Sequence, residues 1–240
     1  MNKKNLAVLS GSGISAESGI STFRGGNGLW DNVPVEEICT PGGWERNPAK
    51  VQRFYNERRA QLQTVSPNEA HLILAALESD FNVKVITQNV DDLHERAGSS
   101  SVLHLHGELR KVRPEDCYTY ADGFSERYVT DIGYRAVQPG ETGGPHGAPL
   151  RPHIVWFGES VPNLEKAAAI VSRADILLIV GTSLQVYPAA SLYSFAPDGC
   201  RIFLIDPDSS LSRHGIPGVT FINDVATAGM RKFRELVHTI

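Results

Sequence analysis

Cysteine is scarce in this chain: Cys39, Cys117 and Cys200 are the only three among 240 residues. An odd, scattered set argues against a disulfide framework and for a reducing compartment. No apolar run approaches the roughly 18 residues needed to cross a bilayer. Lys3 and Lys4 lead into an apolar stretch, but Ser10 and Gly11 end it too early for a secretory signal. Charge of one sign is lacking too. A formal net charge of −4 offers no basic face and argues against nucleic acid or an acidic membrane as the main partner. Repeats and low-complexity tracts are absent. A hydrophobic content of 41% with 21% charged residues is the balance of an ordinary globular protein. The length suits one full-sized α/β domain with an insertion. The expectation is a cytoplasmic protein, taken as a monomer.

Four short apolar, β-branched runs, at residues 6–9, 83–87, 176–180 and 202–205, end in small or polar residues. They read as strands buried on both faces, as in a parallel sheet. Helical patterns lie between them. Ser66-Pro67-Asn68-Glu69 has the form of a capping box with proline at the first helical position, predicting a helix to about Glu78. Residues 47–63, 163–173 and 226–238 give three more. The alternation predicts an α/β fold, a Rossmann-like doubly wound parallel sheet with ligands at the carboxyl ends of its strands. Residues 25–65 and 109–152 break the alternation, and stretches this long are functional or form a subdomain. They are expected to pack together as a small domain beside a large one formed by residues 1–24, 66–108 and 153–240.

The first strand run feeds into Gly11-Ser12-Gly13-Ile14-Ser15-Ala16, the G-x-G-x-x-G/A pattern of a dinucleotide-binding turn. Glycines let the backbone turn sharply and approach a pyrophosphate at a helix start. A dehydrogenase would continue into an unbroken helix, a second strand and an acidic residue about 20 positions on. Here the chain runs into Ser21-Thr22-Phe23-Arg24-Gly25-Gly26, a glycine loop carrying an aromatic ring and a guanidinium. The second run ends in Thr87-Gln88-Asn89-Val90-Asp91-Asp92-Leu93-His94. Two readings fit so many polar side chains at a buried strand's end: a polar ligand waits there, or Asn89 or Asp91 caps a helix. Residues 102–108, VLHLHGE, alternate like a strand with His104 and His106 on one face. They fit either a metal pair lacking a third ligand or two satisfied structural histidines. His106, beside Gly107, is also placed to act as a general base near neutral pH.

The segments GSGISAESGISTFR (11–24), TQNVDD (87–92), LHLHG (103–107), RPHIVWFGE (151–159) and GTSLQVYPA (181–189) span nearly the whole chain. Their content and order resemble the sirtuins, NAD-dependent protein lysine deacylases, and are most similar to the bacterial and mitochondrial branch that removes acidic acyl groups. The resemblance implies that NAD is a co-substrate. The acyl-lysine amide oxygen attacks C1′ of the nicotinamide ribose and releases nicotinamide. A histidine then draws a proton from a ribose hydroxyl, and the acyl group ends on ADP-ribose. By motif position His106 is that base, with Asn89 and Asp91 fixing the nicotinamide ribose and carboxamide beside Gln88 and Val90. The turn from Gly11 through Ala16 (Gly11, Ser12, Gly13, Ile14, Ser15, Ala16), together with Phe23, Arg24 and Trp30, would contact NAD. Phe23 would exclude water from the reactive face. Gly181, Thr182, Ser183, Asp206, Pro207, Asp208 and Ala226 would take the adenosine side. Val155, Trp156, Phe157, Gly158 and Glu159 resemble the strand that pairs with an acylated lysine peptide.

In the helix predicted at 47–63, Val51, Phe54, Tyr55, Arg58 and Leu62 share one stripe. An arginine there needs a compensating anion. It either snorkels to a surface carboxylate such as Glu45, or joins Tyr55, one turn away, in binding the distal carboxylate of a succinyl or malonyl lysine. The Y-x-x-R spacing resembles that of the acidic-acyl branch and favours the second reading.

The chain departs from the family in several places. Most sirtuins hold a structural zinc with two C-x-x-C pairs in the second insertion. Here only Cys117 lies between Leu109 and Pro152, and Cys117 with His146 or His153 is a poor tetrahedral set. No zinc is expected; Tyr118, Tyr120, Phe124, Tyr128 and Tyr134 would hold the insertion by packing. Ser12 and Ser21 stand where alanine and proline are common, and Asp206 and Asp224 where asparagine and glycine are. A carboxylate at 206 still accepts hydrogen bonds from ribose hydroxyls. Two alternatives to deacylation remain: mono-ADP-ribosyl transfer or NAD hydrolysis by the same chemistry, and an inactive nucleotide-binding module. A mere binder has no need of His106, Asn89 and Asp91 together.

Overall fold

In a computed structural model the described residues are 3–22, 34–119, 123–124, 126–210, 216 and 218–239. The four apolar runs become strands of one parallel sheet: β1 (Asn5–Ser10), β2 (Asn82–Thr87), β10 (Ile176–Val180) and β11 (Arg201–Ile205), joined by β3 (Val102–His104) and β12 (Thr220–Ile222). The strand order is β12-β11-β10-β1-β2-β3, all parallel. This is a Rossmann-like order whose connections reverse direction between β1 and β10. Each strand packs two clusters. Leu6, Val8, Val85, Leu178 and Ile205 face one layer with Ile73, Met230 and Phe233. Ala7, Leu9, Ile86, Ile179 and Leu204 face the other with Ala167, Val171 and Leu192. Burial on both faces is why these strands read as unbroken apolar runs.

The helices carry the same logic. The four-residue turn α1 (Gly13–Ala16) follows β1. Next come α2 (Val35–Ile38), α3 (Pro41–Arg46) and α4 (Pro48–Leu62), the last capped by the Asn47 side chain on the Lys50 amide. The helix α5 (Glu69–Ala76) starts later than Ser66-Pro67 suggests. Its N-cap is Asn68, and the reciprocal partner is His71 rather than a glutamate. A short α6 (Leu93–Arg96) follows β2; α7 (Leu164–Val171) and α8 (Ala226–Val237) flank the far half of the sheet.

A second sheet is antiparallel, with order β7-β4-β9-β8, from β4 (Gly107–Pro114), β7 (Thr130–Asp131), β8 (Thr142–Gly143) and β9 (Ala148–Ile154); β5 (Tyr118–Thr119) and β6 (Gly123–Phe124) form a small hairpin beside it. The expected single strand over 102–108 is broken at Leu105–His106, so β3 belongs to the parallel sheet and β4 to the antiparallel one. Ile38, Trp44, Val51, Tyr55, Leu62, Leu109, Ile154 and Trp156 share one apolar cluster, so α2 to α4 and the antiparallel sheet bury a common face.

Arg59, fully buried on α4, ties these parts together. Its Nε donates to the Leu109 carbonyl at 2.6 Å and its Nη1 to Asn56 Oδ1 at 2.7 Å. Burial pulls its pKa down to about 10, which leaves it charged at neutral pH. Asn56 in turn accepts from the Val137 amide and donates to its carbonyl. Of the aromatic residues expected to hold the insertion, Tyr134 donates to Asp92, with Arg110 over its ring at 5.4 Å. The Arg127 guanidinium stands 5.6 Å from the Tyr128 ring. Tyr120 and the side chains of Tyr118 and Phe124 lie outside the described residues.

Candidate active site

The crevice between the carboxyl ends of β1 and β10 is where an open α/β sheet takes its ligand. Two backbone turns meet there. The Gly11 amide donates to the Val180 carbonyl at 3.0 Å and the Gly13 amide to that of Gly181 at 2.8 Å. A Cβ on Gly11 would stand 2.7 Å from the Gly181 oxygen, and one on Gly13 2.7 Å from the Gly181 Cα. Gly181 itself has φ +64°, and a Cβ there would lie 2.3 Å from the Ile14 nitrogen. The glycines are therefore demanded by the approach of one turn to the other, as well as by any phosphate.

Below this seam lies a buried polar floor. Ser10 and Thr87 are register partners on β1 and β2, and the Ser10 hydroxyl donates to Thr87 Oγ1 at 2.9 Å. That spends the Ser10 proton, so His94 Nε2, 2.9 Å from Ser10 Oγ, is the donor in its pair. Asn89 Nδ2 donates to Ser15 Oγ at 3.1 Å, and Ser15 donates to Asp91 Oδ2 at 3.0 Å. The other Asp91 oxygen accepts the Leu93 amide at 3.1 Å. The N-cap of α6 is Asp92, without a side-chain cap bond, so neither Asn89 nor Asp91 is the helix cap; Asp91 instead closes a local turn onto Leu93 while its other oxygen joins the polar floor. Burial raises the Asp91 pKa against these two donors. His71 lies 3.5 Å from Ser15 and stacks edge-on to His94 at 4.9 Å. Burial pulls His71 down to about 4 and His94 well below the usual range, so both are neutral. Ser10, His71 and His94 were not singled out from the sequence. For Ser10 the available signal was its place as the polar residue closing an apolar strand; His71 and His94, on α5 and α6, gave none.

His104 and His106 address consecutive carbonyls of the turn after β2. His104 Nδ1 donates to the Asn89 oxygen at 2.9 Å, and its Nε2 meets Glu95 Oε1 at 2.8 Å. Burial lowers the His104 pKa, but the Glu95 hydrogen bond and charge overcome it and the net shift is upward. It is a satisfied structural histidine. His106 Nδ1 donates to the Gln88 oxygen at 3.1 Å. A carbonyl only accepts, so the neutral ring carries its proton on Nδ1 and presents a bare Nε2. Burial lowers its pKa, partly opposed by the Gln88 bond.

On the other side of the seam, Gln88 Nε2 donates to Thr182 Oγ1 at 3.0 Å, next to Ser183. Asp206 and Pro207 follow β11, with Asp208 donating its amide to Asp206 Oδ1 at 2.9 Å. Asn223, which sequence reading passed over, donates to the Asp206 and Pro207 carbonyls at 3.1 and 2.9 Å. Ala226 is buried at the start of α8. Phe23, Arg24 and Trp30 lie outside the described residues.

The α4 stripe is rotated from its expected setting. The buried set is Val51, Gln52, Tyr55, Arg59 and Leu62, so the fully buried arginine is Arg59. Arg58 is half-buried, its guanidinium 5.0 Å from the Phe54 ring, and its Nε is buried without a hydrogen-bond partner among the described residues. The Tyr55 hydroxyl is buried, accepts from Trp156 Nε1 at 3.0 Å and donates to Cys39 Sγ at 3.6 Å.

Residues 154–159 do not form one strand. β9 stops at Ile154, and Gly158 has φ +91°, a turn that favours glycine. Val155 donates to the His106 carbonyl and Phe157 to that of Cys39, both at 3.0 Å. The Glu159 side chain points inward, only 6% exposed. Its carboxylate takes both Nη atoms of Arg151, at 2.7 and 3.1 Å, and the Trp156 amide at 2.8 Å, with Arg113 3.6 Å away. The Arg151 guanidinium also stacks on the Trp156 ring at 3.4 Å.

Among the described residues no three His, Cys, Asp or Glu side chains converge as a metal would require. Cys117 Sγ donates to Asp116 Oδ1 at 3.6 Å.

The model of the Sir2 family matches residues 11–188. The chain belongs to the Sir2 family. Among its relatives, the NAD-dependent protein deacylase of Bacteroides thetaiotaomicron is 50% identical over 236 residues, 98% of each chain. A Helicobacter pylori protein of the same name is 50% identical over 228 residues, 95% of each. Among solved Sir2 structures, a mutant homologue in complex with ADP-ribose superposes with a TM-score of 0.84 at 36% identity, over 99% of this chain and 95% of that one. A homologue in complex with NAD gives 0.82 at 38%, over 99% and 90%. A mutant with a deacetylated p53 peptide and 3′-O-acetyl ADP-ribose gives 0.76 at 30%, over 98% and 94%. No described helix of this Sir2 protein is long and apolar enough to cross a membrane.

Proposed function

We propose that this Sir2 protein is a cytoplasmic NAD-dependent lysine deacylase that prefers succinyl and malonyl to acetyl groups and works without zinc. The observation that carries the reading is His106, whose Nδ1 is committed to the Gln88 carbonyl so that Nε2 is bare. It lies just after β3, and the Gln88 carbonyl that it addresses adjoins Asn89 in the turn that follows β2. NAD, when bound, supplies the activated ribose carbon that accepts the acyl oxygen as nicotinamide leaves. The turn from Gly11 to Gly13 and Gly181 hold its phosphate side, and Thr182, Ser183 and Asp206 its adenosine side. Asn89 and Asp91 orient the nicotinamide ribose and carboxamide, and His106 Nε2 takes the proton of a ribose hydroxyl. The family resemblance assigns Phe23, Arg24 and Trp30 to NAD contacts as well. An acylated lysine peptide lies against residues 155–158, which puts the acyl chain toward Tyr55 and Arg58.

The acyl preference rests on Arg58, whose half-buried guanidinium lacks a described anion, one helical turn from Tyr55. The test is NAD consumption with succinyl-, malonyl- and acetyl-lysine peptides, and with none. Turnover should require peptide and be fastest with the acidic acyl groups. Arg58→Met should cut kcat/KM for succinyl-lysine about 10- to 100-fold, the loss of one charge-assisted bond, with a much smaller effect on acetyl-lysine. An unchanged acyl ranking would remove Arg58 from the pocket. Equal NAD loss without peptide would make the protein an NAD hydrolase.

Metal analysis of the purified protein is expected to find far less than one zinc per chain, with activity insensitive to chelators. One bound zinc per chain refutes the zinc-free reading.

A further inference from the structure

The acyl-pocket reading asks the Tyr55 hydroxyl to donate to a carboxylate, and the structure shows that its proton is already in use. A tyrosine hydroxyl has one proton and an oxygen that accepts. Trp156 Nε1, which can only donate, occupies the oxygen at 3.0 Å, and the proton points to Cys39 Sγ at 3.6 Å. Cys39, Tyr55 and Trp156 are all buried in one cluster. The Cys39 carbonyl also accepts the Phe157 amide at 3.0 Å, which sets the cysteine between α4 and the segment proposed to hold the peptide.

We propose that Cys39 is a specificity-determining residue: its sulfur competes with the acyl carboxylate for the Tyr55 proton and so sets how strongly acidic acyl groups are favoured over acetyl. This rests on the acidic-acyl reading of Tyr55 and Arg58. Thiol sulfur is a weak acceptor, so the proton is held loosely and a carboxylate can take it over by a small rotation of the hydroxyl. Burial raises the Cys39 pKa to about 11, so it is a neutral thiol in the physiological range, and no thiolate repels the incoming acid. A stronger neutral acceptor in its place would hold the proton back; none at all would leave the hydroxyl free.

Cys39→Ala and Cys39→Ser test this as a pair, because they remove nearly the same volume and differ in the acceptor. The readout is the ratio of kcat/KM for succinyl- to acetyl-lysine peptide. It should rise about threefold to tenfold in Cys39→Ala and fall by a similar factor in Cys39→Ser, the range of one hydrogen bond. In a Tyr55→Phe background the two should be indistinguishable. If both move the ratio equally, volume alone matters and the proposal is overturned. An unmoved ratio in both, with Tyr55→Phe still lowering it, also overturns the proposal but leaves the acidic-acyl reading standing. If Tyr55→Phe and Arg58→Met leave the ratio unchanged, the acidic-acyl reading falls and takes the proposal with it.

Discussion

Replacing His106 by asparagine should lower kcat for deacylation by about 10² to 10⁴-fold, the range of a lost general base. Asparagine can still donate to the Gln88 carbonyl, so the turn after β2 keeps its hydrogen bond while the basic nitrogen is gone. Nicotinamide leaves before a proton must be taken from the ribose, so exchange of labelled nicotinamide into NAD should fall much less than product formation. The pH profile carries a second, independent expectation. A general base works in its neutral form, so with His106 in that role the rate should fall as pH falls through its pKa. Burial lowers that pKa from the ordinary histidine value, and the acid limb of kcat/KM should therefore bend below about pH 6.5. Steady-state rates between pH 5 and 9 would show it, and the limb should vanish in the asparagine variant. An inflection above pH 7, or a variant as fast as wild type, would remove His106 from the reaction.

Glu159→Gln should be the most destabilising conservative change at the candidate site. The Glu159 side chain is only 6% exposed, bidentate with Arg151, and has Arg113 close by. Glutamine keeps the shape but sets an amide NH₂ against the Arg151 guanidinium and removes the anion that its two Nη atoms share. Breaking a buried pair from one side costs about 3–5 kcal/mol. For a domain of this size that is a fall in Tm of roughly 10 °C or more. The peptide KM should rise as well, since the same carboxylate fixes the Trp156 amide beside the proposed peptide stretch. Adding Arg151→Met should recover part of the lost stability, because the pair's removal is milder than its half-removal. A Tm within 1 °C of wild type would show that the cluster contributes no stability.

The parallel sheet was legible because its strands are buried on both faces, which leaves apolar runs closed by polar residues at their ends, such as Ser10 and Thr87. β12 escaped notice because a three-residue edge strand leaves too short a pattern. The split of residues 102–108 was hidden by a property of histidine: it alternates in sequence like a strand residue, yet here each ring is held by the carbonyl of a neighbouring turn. Arg58 and Arg59 show the same limit. Adjacent residues on a helix differ by about 100°, and which one is buried depends on the Leu109 carbonyl, 50 residues away. The roles of Asn89, Asp91 and His106 came from motif resemblance. The serine and histidine floor beneath them exists only once β1 and β2 are laid in register.

The glycine seam has a mechanical consequence. Because the turns after β1 and β10 are keyed backbone to backbone, neither can slide or swell without displacing the other. A displacement of one turn is therefore carried to the other as rigid-body motion, without being absorbed in a soft loop. The two turns then behave as one stiff edge of the crevice.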